Sequence, residues 1–234
     1  MNPEIIVALD VPASKDIAPI LARLPAELIW YKVGLELFCA EGPDALAPLH
    51  ECGRKIFLDL KLHDIPRTVE RAVKSAAKHN VKMITLHAAG GRAMLQAAAD
   101  AAKSFGEDRP KLLAVTVLTS MDAHDLADIG VQRSPSDQVK ALADLAISAG
   151  IDGLVCSPQE VGELRKRLGP APLLVTPGIR LPGGDLGDQK RVATPGAAAR
   201  DGATHLVIGR PILEASDPAA AVRAICEDIA ACAK

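Results

Sequence analysis

Short apolar runs alternate with stretches of helical periodicity along the whole chain. The first run, Ile5-Ile6-Val7-Ala8-Leu9-Asp10, ends in a carboxylate and is followed by Pro12. It is too short for a helix and rich in β-branched residues, which predicts a buried parallel strand. Ser14 is the expected cap of a helix reaching about Leu24. Ile29 to Leu35 reads as the second strand, with Lys32 embedded in it, and a helix is expected from about Gly42 to Cys52. The third strand is expected from about Lys55 to Asp64. Leu58, Leu60 and Leu62 alternate there, so Asp59, Lys61 and His63 share the opposite face.

Pro66 suits a first helical turn, and Val69, Ala72, Val73, Ala76 and Ala77 then mark one helical face. Met83 to Ala88 is the fourth strand, followed by an Ala-rich helix from Arg92 to Ser104. Leu112 to Ser120 is the fifth strand, ending in hydroxyls. Val139, Leu142 and Leu145 mark the next helix, closed by Gly150. Gly153 to Cys156 is the sixth strand, and Ser157-Pro158-Gln159-Glu160 is a capping box with proline at the first helical position. Leu173 to Gly178 is the seventh strand. Thr194-Pro195 opens a short helix that Gly202 ends, His205 to Arg210 is the eighth strand, and a closing helix runs from Asp217 to Ala233. Arg180 to Arg191 carries Pro182, Gly183, Gly184 and Gly187 without periodicity, which predicts a mobile lid.

Eight strand–helix units with short connections imply a parallel sheet, and that number implies closure into a (β/α)8 TIM barrel. A doubly wound open sheet is the alternative. Against it, no Gly-x-Gly-x-x-Gly follows a strand and no P-loop is present. No linker interrupts the pattern, so one domain over residues 1–234 is expected.

Composition narrows the function. A net charge of −2 argues against a nucleic-acid binder, and an aromatic content of 2% argues against base-stacking platforms. Cys39, Cys52, Cys156, Cys226 and Cys232 are odd in number and form no Cys-x-x-Cys pair, so reduced and mostly buried thiols are expected. The N-terminus shows no basic segment leading an apolar core, and no stretch approaches a membrane span. The expected location is the cytoplasm.

The polar residues then fall into place. An isolated Asp-x-Lys reads as a solvated strand edge or a structural ion pair. Inside a barrel, the active site lies at the C-terminal ends of the strands. Asp10, Lys32, Asp59, Lys61, Thr119 and Arg210 all fall late in their strands or just after them. Together they predict a charged mouth over an apolar barrel. The ends of the seventh and eighth strands carry Gly178-Ile179-Arg180 and Gly209-Arg210, a pattern suited to an anion such as phosphate. His63 and His87 lack a supporting acidic triad, so no metal site is expected. From the residues alone, the reading is an enzyme for a phosphate-bearing ligand with a Lys/Asp centre.

Asp59-x-Lys61-x-x-Asp64-Ile65-Pro66 resembles the signature of the orotidine 5′-phosphate decarboxylase family. The resemblance extends over nearly the whole chain. It includes Ala8-Leu9-Asp10, Tyr31-Lys32-Val33-Gly34, Val117-Leu118-Thr119-Ser120, Thr176-Pro177-Gly178-Ile179-Arg180 and Val207-Ile208-Gly209-Arg210-Pro211-Ile212. It implies cofactor-free conversion of orotidine 5′-phosphate to UMP by a homodimer with sites at the interface. Lys61 is then the proton donor to C6. Asp59 and Asp64 flank it, with Asp64 reaching the neighbouring subunit's site. Asp10 and Lys32 hold the ribose hydroxyls, and Lys32 also braces Asp59. Thr119 and Ser120 meet the pyrimidine, while Arg180, Gln189, Gly209 and Arg210 hold the phosphate. Two other readings share the motif or the ligand: a metal-dependent sugar-phosphate aldolase or decarboxylase, and a non-catalytic phosphate-ligand binder.

Overall fold

The computed structural model describes residues 2–181 and 191–232. Its parallel strands close into a barrel in sequence order. They are β1 Glu4–Leu9, β2 Trp30–Val33, β3 Lys55–Leu62, β4 Met83–His87, β5 Lys111–Val115, β6 Gly153–Val155, β7 Leu173–Thr176 and β8 His205–Ile208. β8 pairs back onto β1 through Glu4 opposite His205 and Ile6 opposite Val207, which excludes the open sheet. The surrounding helices are α1 Ile17–Leu21, α2 Leu35–Glu41, α3 Ala47–Glu51, α4 Pro66–Ala77, α5 Gly91–Lys103 and α6 Ala123–Asp128. They continue with α7 Pro135–Ser148, α8 Pro158–Leu168, α9 Pro195–Asp201, α10 Arg210–Leu213 and α11 Pro218–Cys232.

Strand parity divides the core in two. Ile6, Ala8, Trp30, Phe57, Met83, Leu113, Val175 and Val207 fill the barrel interior. The alternate residues, among them Val7, Leu9, Leu58, Ile84 and Leu206, join a larger layer under the helices. Such layered filling makes a small barrel a packed core rather than a pore.

Several boundaries differ from the sequence expectation. Ser14 is not a helix cap. Ala13 precedes a short 3-10 turn, Ser14–Asp16, and the Ser14 backbone N–H donates to Glu41 Oε1 at 3.0 Å. Leu35 belongs to α2 rather than β2, and 42–52 divides into a 3-10 turn, Gly42–Leu46, and α3. β5 stops at Val115, leaving Thr119 and Ser120 on the following loop. α6 was not expected. Asp122 opens it by accepting from the His124 and Asp125 backbone N–H groups, and Asp125 accepts from Asp122 N at 2.8 Å. Gly150 and Gly202 take φ of 89° and 102°, as their helix-closing roles require. All five thiols are free, but Cys39, Cys52 and Cys226 are exposed rather than buried. They occupy outward positions on α2, after α3 and on α11. Among the described residues, no helix is long and apolar enough to cross a membrane.

Candidate active site

Inward parity runs from the apolar interior to a polar mouth. Two residues beyond Ala8 stands Asp10, two beyond Trp30 stands Lys32, two beyond Phe57 stands Asp59, and two beyond Met83 stands Thr85. These side chains meet. Lys32 Nζ lies 2.9 Å from Asp10 Oδ1 and 3.8 Å from Asp59 Oδ2. Lys61 Nζ donates to both oxygens of Asp59, each at 2.9 Å. The result is a chain of alternating charge, Asp10–Lys32–Asp59–Lys61. Asp59 and Lys32 sit deepest, with side chains 13% and 11% exposed. Each buried charge has an opposite neighbour, which offsets desolvation that would otherwise be severe.

β3 bends to build this array. Its register against β4 shifts between Leu58 and Leu62, and Lys61 takes φ of 50°, a left-handed conformation rare for a side-chain-bearing residue. Thr85 holds the bend. Its hydroxyl donates to Asp59 Oδ1 at 2.9 Å and accepts from the Lys61 backbone N–H at 2.9 Å. Leu60 and Leu62 still pack toward the helix-side core, so the expected division of faces survives the bulge.

Two adjoining recesses open at this mouth and share Lys32, Pro177 and Val207. One, of 180 Å³, holds Asp59 and Lys61 opposite Val117, Leu118, Thr119 and Cys156. The other, of 190 Å³, holds Asp10, Gly178, Arg180, Gly209 and Arg210. Joined, they reach the scale of about 300 Å³ at which small-ligand pockets begin. The first is mostly apolar with one charged end; the second gathers two guanidinium groups and two glycines.

The structure brings together Asp10, Lys32, Asp59, Lys61, Thr119, Arg180, Gly209 and Arg210. Arg210 opens α10 rather than ending β8, so its backbone begins a helix at the mouth. Ser120 is exposed and Asp64 is exposed, and neither lines these recesses. Asp64 Oδ1 accepts from the Ile65 backbone N–H at 2.7 Å. Gln189 and most of the expected lid lie outside the described residues.

Sequence reasoning missed Thr85, weighed His87 only as a metal ligand, and took Gly34 only as part of a motif. Thr85 and His87 share the inward parity of Met83, which was the available signal. The His87 ring lies 5.5 Å from that of His63. Burial, with His63 and Lys61 nearby, lowers the His87 pKa from its ordinary value despite the opposing Asp59 charge. At Gly34, a Cβ would stand 2.9 Å from Lys32 Nζ, so the missing side chain leaves the ammonium its place.

The family model for orotidine 5′-phosphate decarboxylase / HUMPS matches residues 3–225. An orotidine 5′-phosphate decarboxylase of Photobacterium profundum is 48% identical over 98% of this chain and 100% of its own. That of Opitutus terrae is 50% identical over 97% of this chain and 98% of its own. The crystal structure of orotidine 5′-phosphate decarboxylase from Lactobacillus acidophilus superposes with a TM-score of 0.85 at 40% identity, covering 98% of this chain and 99% of that one. On the family match and these full-length similarities, the chain belongs to the orotidine 5′-phosphate decarboxylase / HUMPS family.

Proposed function

We propose that this protein converts orotidine 5′-phosphate to UMP, the last step of de novo pyrimidine nucleotide synthesis, without a cofactor. The observation that carries the reading is the Asp10–Lys32–Asp59–Lys61 array at the junction of an apolar recess and an arginine-bearing one. The pyrimidine fills the first recess against Thr119, with Ser120 beside it on the loop outside that recess. The ribose hydroxyls meet Asp10 and Lys32, and the phosphate meets Arg180, Gly209 and Arg210, with Gln189 joining them.

Breaking the bond from C6 to the carboxylate carbon releases CO2 and leaves the electron pair on C6, with no π system to spread it. The barrier must then be lowered by fixed charge aimed at that carbon. Lys61, braced on Asp59, supplies it. Its ammonium stabilises the developing carbanion and then gives C6 a proton, and the resulting amine takes a proton from solvent. Lys32, 3.8 Å from Asp59 Oδ2, adds a second positive charge beside the carboxylate that Lys61 grips through both oxygens.

Asp64 acts in the site of a second copy, as part of a homodimer. Its exposure supports that role, and so does Ile65 beside it, an apolar side chain 67% exposed that a partner would cover. The homodimer works in the cytoplasm on a free nucleotide.

The test is the loss of absorbance of orotidine 5′-phosphate on adding the protein, with and without EDTA. Equal turnover under both conditions supports the proposal. Turnover abolished by EDTA points to a metal-dependent reaction, and UMP binding without turnover points to a binding protein.

A further inference from the structure

The loops that follow β5, β6 and β7 converge on a buried ion pair that takes no part in the chemistry above. Arg191 lies between β7 and α9. Its Nη1 donates to Glu160 Oε1, and its Nη2 donates to the backbone carbonyls of Val117 at 3.3 Å and Leu118 at 2.9 Å. Glu160 Oε2 accepts the Ser157 backbone N–H at 2.8 Å, which ties the pair to the start of α8. The two side chains are only 14% and 10% exposed. Val117 and Leu118 line the base end of the recess together with Thr119, and Cys156, next to Ser157, lines it from the β6 side.

A buried ion pair is a poor way to add stability, because apolar side chains of similar volume often serve as well. What a guanidinium adds is direction. Its planar fork of donors holds several acceptors in a fixed relation, which neither an apolar group nor an ammonium can do. Here the acceptors are two consecutive carbonyls immediately before Thr119. Holding both stops the peptide between them from turning, and so sets where the Thr119 side chain emerges. Burial raises the Glu160 carboxyl above the usual carboxylate range, and the Arg191 guanidinium is the strongest influence opposing that rise.

We propose that Arg191 is a positioning residue: with Glu160 as its counter-ion it fixes the 117–119 backbone, and through it the contact of Thr119 with the substrate ring. The proposal rests on the decarboxylase reading, and assigns Arg191 to the base end of the substrate although it lies close in sequence to residues expected at the phosphate.

The experiment compares the parent, Arg191→Ala and Arg191→Lys on orotidine 5′-phosphate and on the nucleoside orotidine. Arg210→Ala serves as the phosphate-end comparator. Amide hydrogen exchange of the unliganded proteins is followed across residues 116–121. Arg191→Ala should lose about 10–100-fold in kcat/KM on both substrates alike, the scale of a small misplacement of a binding group. Its exchange should quicken in 116–121 while β4 stays protected. Arg191→Lys should recover part of the loss, since an ammonium keeps Glu160 company but cannot hold both carbonyls. Arg210→Ala should lose activity on the phosphorylated substrate only. A loss by Arg191→Ala confined to the phosphorylated substrate would overturn the proposal, as would parent-like kinetics with unchanged exchange. If Arg191→Ala fails to fold, the pair Arg191→Gln with Glu160→Gln removes both charges and keeps neutral donors and acceptors; parent-like kinetics there overturns it equally. If the parent turns over neither substrate, the decarboxylase reading fails. Exchange then decides the loop-holding role by itself: quickening in 116–121 supports it and no change refutes it.

Discussion

Lys61 occupies a backbone conformation that costs about 1–3 kcal/mol for a residue with a side chain. The cost is met locally. The Thr85 hydroxyl accepts a hydrogen bond from the Lys61 backbone N–H and donates one to Asp59, while Asp59 accepts two from Lys61 Nζ. One buried hydroxyl therefore holds the backbone of the proposed proton donor and the carboxylate that aims it. Replacing Thr85 by valine keeps the volume and removes both bonds. Stability should fall by about 1–3 kcal/mol, the cost of leaving buried polar groups unpaired. Turnover should fall by about tenfold or more as Lys61 drifts. Urea unfolding and kcat measure the two effects, and a variant that matches the parent in both would remove Thr85 from the account. Thr85 was readable only by carrying the parity of β4 inward from Met83, because threonine is at home in any strand. The charged residues needed less context, since a lysine or aspartate inside an apolar strand is conspicuous.

At the scale of elements, the apolar runs located every strand, and the ends were what escaped them. β3 bends at a bulge no periodicity announces, and β5 stops well before its hydroxyls because the chain turns away to form α6. Both irregularities serve the site, where local rules are commonly broken. At the opposite end of the barrel the starts of β5 and β6 are tied by Asp152. It accepts from Arg109 Nη1 at 2.8 Å, Arg109 Nη2 at 2.6 Å and the Leu112 backbone N–H at 2.9 Å. Burial by itself would raise this carboxyl, but the Arg109 and Leu112 hydrogen bonds and the nearby cations outweigh it and hold it below its ordinary value of 3.8. A carboxyl lowered on folding contributes stability in full above its unfolded value and loses it as pH falls through the folded one. Asp152→Asn should therefore cost about 2 kcal/mol at pH 7, from lost charge-assisted hydrogen bonds. The difference from the parent should narrow as the pH falls below 3.8. Denaturant midpoints across that range check it, and a gap independent of pH would mean that the charge of Asp152 is irrelevant.

For the whole molecule, the fold was legible because eight repeats leave little choice but closure, and the site because barrel chemistry sits at one end. The assembly was less so. Asp64 lies on the leucine parity of the third strand, which predicts that it does not point into its own barrel unless the strand has ended; β3 ends at Leu62, and Asp64 is exposed beside the uncovered Ile65. Mixing inactive Asp64→Ala and Lys61→Ala proteins should restore part of the activity, since a hybrid dimer contains one intact site. A mixture that stays inactive while subunits exchange would confine Asp64 to its own chain. All of this depends on Lys61 as the source of the proton and of the charge that stabilises the carbanion. The most direct measurement is turnover of orotidine 5′-phosphate by Lys61→Ala, with UMP binding measured on the same preparation. The account predicts a folded protein that binds UMP and has no detectable decarboxylation, whereas activity within about tenfold of the parent, less than the weakest usual contribution of a general acid, would contradict it.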